Sequence, residues 1–299
     1  MAANGVEQKP SETALFAALR RTIAYKEFHS KKFGPDDLAE YFLPPHFRFF
    51  LKFKSVRTNT KNKLNGFLPG LNEYMIARTV YFDRLFASAF IEKTPQIVLL
   101  GAGYDSRTYR FAKFNQGTRI FELDIAPTQA RKMKCLSKAH IEVSENVIFV
   151  PINFNQEAIK TALEKAGFDG GKKTLFVWEG VSYYLTEESV DSTLEFVSKT
   201  HHENVIAFDY TVPISEENID AHYGVREFAQ TMKEQHADEA LLFSIRDDEI
   251  EAFLKQRGLR MVEHLDNEEI EREFLLNEEG KLIGQMTGHF RFVRASPLD

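Results

Sequence analysis

Three short stretches of the chain carry residue types that could do chemistry together. The first is Gly101-Ala102-Gly103, followed by Asp105 and Ser106. Two glycines let a backbone come close to a ligand, and the helix that follows would turn its first N–H groups toward it. A dinucleotide pyrophosphate would want a third glycine at position 106. Ser106 stands there instead, and Asp105 puts negative charge where a phosphate would sit, so the turn suits a ligand with an ammonium or sulfonium group. The second stretch, Phe121-Glu122-Leu123-Asp124, ends in a carboxylate that can accept from both hydroxyls of a ribose. Asp124 lies at the tip, and Glu122 is expected on the other side of the strand, paired with a helix. The third stretch, Trp178-Glu179-Gly180-Val181-Ser182-Tyr183-Tyr184, sets a carboxylate and two phenols behind an apolar run.

Other candidates fall away on geometry. His201 and His202 are adjacent and so point apart, with no partner at helical spacing, which reads as a surface turn and not a metal site. Ser182 lacks the second glycine of a nucleophile elbow. The single cysteine, Cys135, excludes an internal disulfide and any multi-cysteine metal site, and suits a reducing compartment.

The elements that must position these residues can be read from periodicity. Apolar β-branched runs at 96–100, 119–124, 146–152, 174–179 and 204–209 alternate with helical or polar segments, the pattern of a doubly wound, mostly parallel α/β sheet. Its ligand site is expected at the carboxyl ends of the strands. Before the sheet, residues 11–93 show helical spacing broken by Pro44-Pro45 and Phe67-Leu68-Pro69-Gly70, with Ser11 placed to cap the first helix. Residues 1–93 thus read as an N-terminal helical cap, and 94–299 as the sheet domain. Within the latter, 213–245 forms a polar insertion expected to cover the strand ends. An amphipathic helix over 246–257, a strand over 259–265, a loop and a last strand over 289–293 complete seven strands with a late antiparallel one. That layout is the one found in class I S-adenosylmethionine-dependent methyltransferases.

Composition agrees with a globular, non-exported chain. The 299 residues include 38 Lys and Arg against 44 Asp and Glu, a formal charge of −6, which argues against a nucleic-acid partner. The basic run Lys52, Lys54, Arg57, Lys61, Lys63 is short and reads as a solvated face. Nowhere do about 18 apolar residues run together, and the first ten residues lack the order of a signal peptide, so no membrane partner and a cytoplasmic location are expected.

Taken in order, Gly101 to Phe111, then Phe121 to Asp124 with Pro127, Gln129 and Lys132, then Trp178 to Glu188, resemble the leucine carboxyl methyltransferase family, and within it the bacterial branch of small-molecule O-methyltransferases. The resemblance implies S-adenosylmethionine as methyl donor, no metal, and a small-molecule acceptor. It implies that Arg78, with Arg20 in the first helix, grips the methionine carboxylate of the cofactor, as bidentate guanidinium groups do. It further implies that Gly101 and Gly103 line the methionine part, that Asp105 and Arg107 organise the turn, and that Asp124 holds the ribose. Glu179 would pair with the ammonium. The chain departs from the family at Asn153, where an aspartate usually accepts from the adenine amino group; an amide carbonyl can still accept that bond. Phe154 is the candidate to stack on the purine. On the acceptor side stand Tyr184 first, then Tyr183 and Tyr210, with Asp209 and His222 near them. A protein C-terminal carboxylate as acceptor, a cofactor-binding module without catalysis, and a dinucleotide-dependent oxidoreductase are the alternatives.

Overall fold

The computed structural model describes residues 9–154, 156–217, 219–235 and 241–298. Four helices come first: α1 (Glu12–Phe28), α2 (Pro45–Phe50), α3 (Lys54–Phe67) and α4 (Leu71–Ile91). Five strands follow, β1 (Gln96–Leu100), β2 (Arg119–Asp124), β3 (Val147–Pro151), β4 (Thr174–Trp178) and β5 (Val205–Thr211), with α5 (Arg107–Arg110), α6 (Ala126–Lys138), α7 (Ile159–Lys165) and α8 (Glu187–Thr200) between them. After β5 come α9 (Val225–Gln235), α10 (Ile250–Gln256), β6 (Leu259–Leu265), α11 (Asn267–Phe274) and β7 (Phe290–Pro297). The sheet order is β3-β2-β1-β4-β5-β7-β6. The first five strands are parallel, and β7 is antiparallel to both neighbours.

Burial explains the strand composition. All residues of the central strands β1 and β4 are buried, as expected where helices cover both faces of a parallel sheet. One face packs against α4 and α11 through Phe82, Phe86, Ile97, Leu99 and Phe292. The other packs against α7, α8 and α10 through Val98, Leu163, Leu194 and Leu254. The helical segment before the sheet therefore divides by burial. Most of α4 is buried as a wall of the core, whereas α2 and α3 bury no residue.

The side chain of Ser11 accepts from the Ala14 N–H and caps α1 as expected, and its own N–H donates to Thr128 Oγ1, tying α1 to α6. Near the C-terminus the chain differs from the sequence reading. The helix expected over 246–257 begins only at Ile250, the last strand is longer and starts one residue later, and α11 occupies what read as loop. The signal for α11 was present: Asp266 accepts from the Glu269 N–H while the Glu269 carboxylate accepts from the Asp266 N–H, a reciprocal cap, and Ile270 and Phe274 anchor the helix in the core. Of the insertion expected over 213–245, residues 218 and 236–240 lie outside the described residues, as do residues 1–8 of the N-terminal cap.

Candidate active site

β1 and β2 deliver the glycine turn and Asp124 to the same edge. Gly101 and Gly103 take positive φ values of 72° and 42°, conformations open to glycine at little cost. Ala102 is held by its N–H to the Leu123 carbonyl, 2.8 Å. Asp124 Oδ2 accepts the Gly103 N–H at 2.6 Å, so the strand-tip carboxylate braces the turn directly. Burial pushes the Asp124 carboxyl up to about 6, although the Gly103 and Ile125 amides favour its ionised form. Asn153 and Phe154 follow β3 at this edge, where the Ile152 N–H bonds the Asp124 carbonyl. Phe154 is half-buried against the α8 side of the core. The turn is covered: a Cβ at Gly101 would meet Val181 Cγ2 at 2.4 Å, and one at Gly103 would meet the Ala14 side chain.

Glu122 does pair with a helix, through Lys132 of α6 at 2.7 Å. It does not face away from Asp124. Residues two apart in a strand share a face, and Lys132 acts on both carboxylates.

Beside the turn runs a buried row of alternating charge. Arg110 is bidentate on Asp83, whose Oδ1 also accepts from Arg107 Nε at 2.8 Å. Arg107 continues to Asp105 (2.7 Å) and Glu179 (2.6 Å), and Glu179 to Arg78 (3.0 Å). Arg78 reaches Asp209 of β5 at 3.4 Å. Burial raises Asp105, but Arg107 and Lys132 outweigh it and hold the carboxyl at about 2. Gly180 is required here. Its φ is 73°, a Cβ would lie 2.8 Å from Arg78 Nη1, and its N–H donates to Asp209 Oδ1 at 2.7 Å.

Arg20 differs from its neighbours. Its Nη1 donates to Asn72 Oδ1, while Nε and Nη2 are buried with no partner among the described residues. Burial pulls it down to about 9, with Glu73 opposing, which leaves a cation at neutral pH. Its partly unsatisfied guanidinium is suited to an incoming carboxylate.

The acceptor-side candidates separate. Tyr183 is buried and receives a hydrogen bond from Arg78 (3.3 Å), and Tyr184 packs edge-on against it at 4.7 Å between centroids. Tyr74, which sequence reasoning missed, donates to Asp209 Oδ2. Burial and the Asp209 carboxylate push Tyr74 and Tyr183 well above the phenol range, so both hold their protons. Tyr210 is not part of this group. It points to the opposite face of the sheet from Asp209 and bonds His264 at 2.8 Å, which removes it from contact with the cofactor end.

At the same edge, two strands from the glycine turn, a cavity of about 220 Å³ opens beyond β5. Val212, Pro213, Ile214 and Val225 give it apolar walls, with His222, Asp247 and His289 among its polar groups. His289 is fully buried; its Nδ1 meets Thr287 Oγ1 at 3.0 Å and its Nε2 has no partner among the described residues. Burial, with Arg291 and His222, pushes its imidazole down to about 3, so it is neutral in the physiological range. His289 had no local signal beyond its place before the last strand. Asp83 and Tyr74 could have been suspected from polar residues inside the apolar spacing of α4.

A seven-stranded sheet with β7 slotted antiparallel between β5 and β6, a glycine turn after β1 and a carboxylate at the tip of β2 together define a class I methyltransferase fold. Residues 14–198 match the sequence model of the family described as leucine carboxyl methyltransferase. The chain belongs to that family of S-adenosylmethionine-dependent methyltransferases, as the resemblance implied. It is 29% identical over 218 residues to "Putative S-adenosyl-L-methionine-dependent methyltransferase YktD" of Bacillus subtilis, covering 72% of this chain and 70% of that protein. A relative of the same general name from Mycolicibacterium gilvum is 36% identical over 128 residues, 43% of this chain and 50% of that protein. Among solved structures, a DUF574 family protein from Streptomyces avermitilis superposes with a TM-score of 0.62 over 98% of this chain and 99% of its own. At 12% identity it speaks for the fold alone. Among the described residues no cluster of His, Cys, Asp or Glu is arranged to hold a metal ion, and no helix is long and apolar enough to cross a membrane.

Proposed function

We propose that the protein is a cytoplasmic O-methyltransferase, using S-adenosylmethionine on a carboxylate or hydroxyl oxygen of a small, hydrophobic acceptor. The observation that carries this reading is that the glycine turn with its charged neighbours and a cavity with one apolar side lie at the same sheet edge, two strands or roughly 10 Å apart at ~4.8 Å per strand.

The chain's residues fit the cofactor. Arg20 offers unpartnered donors to the methionine carboxylate, and Arg78, already shared between Glu179 and Asp209, orients that end. Gly101 and Gly103 give the turn its positive-φ path, Asp124 receives the ribose hydroxyls, and Glu179 faces the ammonium. Asn153 and Phe154 take the adenine. When bound, S-adenosylmethionine supplies a methyl on a sulfonium whose departing thioether is neutral.

The residues around it mainly align the acceptor and exclude water, and such positioning can supply ~7–11 kcal/mol. Tyr183, which accepts from Arg78, and Tyr184, packed edge-on against it, are the candidates to position the acceptor. An acceptor carboxylate needs no base. An acceptor hydroxyl needs a stronger base than His289, whose imidazole burial holds at about 3.

Thermal unfolding with S-adenosylmethionine, S-adenosylhomocysteine or NAD tests the cofactor half. A ligand at 100 times its Kd stabilises the native state by about 2.7 kcal/mol. A raised midpoint with the two sulfur compounds, lost in Asp124→Ala, is expected; a shift with NAD alone would overturn the reading. Release of S-adenosylhomocysteine across a panel of phenols, carboxylic acids and amines tests the acceptor half, and turnover of amines alone would exclude oxygen as the nucleophile.

A further inference from the structure

The surface formed by α2 and α3 has a composition found nowhere else on this molecule. From Tyr41 to Asn72 there are six Lys or Arg and no Asp or Glu, a local charge of +6 in a chain whose total is −6. Neither helix buries a residue. Phe47, Phe49, Phe50, Phe53 and Phe67 are each about half exposed, between 46% and 55%, and Phe49 stacks edge-on with Phe50 and Phe53 at 5.6 and 5.7 Å. The other large apolar side chains that reach solvent are scattered along the chain, from Ile91 to Leu298. Clustered exposed aromatics of this kind mark an interaction surface.

The interleaved cations say what covers it. Lys52, Lys54, Arg57 and Lys63 pair with no carboxylate among the described residues, while Arg48 and Lys61 reach Glu40 and Glu27. Aromatic rings flanked by unpaired Lys and Arg match a lipid interface, where the rings enter the acyl boundary and the basic groups meet anionic headgroups. A second copy meeting this patch about a two-fold axis would set +6 against +6.

We propose that α2 and α3 dock the protein on the surface of an anionic lipid bilayer. The chain lies on the membrane without crossing it. Docking also places the covering helices at a surface where hydrophobic acceptors partition.

The full chain should co-sediment with vesicles of phosphatidylcholine containing one third phosphatidylglycerol at least tenfold more strongly than with phosphatidylcholine alone at 0.1 M salt. Raising the salt to 0.5 M should remove most of that preference. Lys52→Glu with Lys54→Glu should abolish the preference for anionic vesicles. Phe49→Ser with Phe50→Ser and Phe53→Ser should weaken binding at least tenfold at an unchanged melting temperature, because those rings are exposed in the folded chain. Equal binding by the variants and the parent, or no binding to anionic vesicles, would overturn the proposal. So would a dimer in light scattering that both variants dissociate, since that assigns the patch to a second copy.

Discussion

Around the turns after β1 and β4 the carboxylates Asp83 of α4, Asp105 and Glu179 are all held by arginines, and Arg20 keeps two buried donors without a partner among the described residues. At the cavity beside β5 and β7, by contrast, Val212, Pro213, Ile214 and Val225 stand beside one bidentate pair, Arg291 with Asp247, and the buried imidazole of His289 is held on one nitrogen only. The first region is cross-linked by opposite charges and can accept little variation. The second has that one pair and an apolar side, so its apolar side chains can change while the charged row beside the glycine turn is kept.

Breaking the first region should have the largest effect. Arg107→Ala leaves Asp83, Asp105 and Glu179 buried without their shared cation, and should lower unfolding free energy by about 3–5 kcal/mol in urea titration. A loss below about 1 kcal/mol would mean that the row is not held electrostatically.

A subtler probe of the same region is pH. Burial sets the Asp124 carboxyl at about 6, and only its ionised form accepts from both ribose hydroxyls without offering a competing proton. Affinity for S-adenosylhomocysteine, by calorimetry, should therefore be constant above pH 7 and fall by up to about tenfold per unit below pH 6. In Asp124→Asn that slope should vanish. Because the folded carboxyl titrates above its unfolded value, Asp124 itself contributes less to stability as pH rises from about 4 to 6, opposite to the binding trend.

The smallest effect on the cofactor end should come from the second region. Ile214→Trp fills the cavity and should raise the KM for a verified acceptor severalfold, with S-adenosylhomocysteine affinity within a factor of two of the parent. Loss of cofactor binding in this variant would show that the two regions are not separable.

The parallel strands were legible because a buried strand must be an apolar, β-branched run, and the glycine turn because two closely spaced glycines after such a run have few other uses. The Ser11 cap and the strand β6 were equally plain. Glu122 was misjudged through its direction along a strand, and α11 was missed although Asp266 and Glu269 spell its cap. Tyr210 lay in a legible strand, but its facing depended on which residue of the pair Asp209 and Tyr210 turns toward α4.

What the sequence determined by itself were local matters: the order of strands and helices, the turn after β1, the carboxylate at the tip of β2, and the family to which these motifs belong. These depend on period, turn chemistry and capping, which act over a few residues. Only the tertiary structure decided that Tyr74 and Arg78 meet Asp209, 135 and 131 residues away, that Arg20 keeps donors without a partner among the described residues, that His289 faces a cavity, and that five phenylalanines in and beside α2 and α3 stay about half exposed. Charge pairing and burial are properties of neighbours in space, and a linear pattern does not specify which distant segments become neighbours until the sheet assembles.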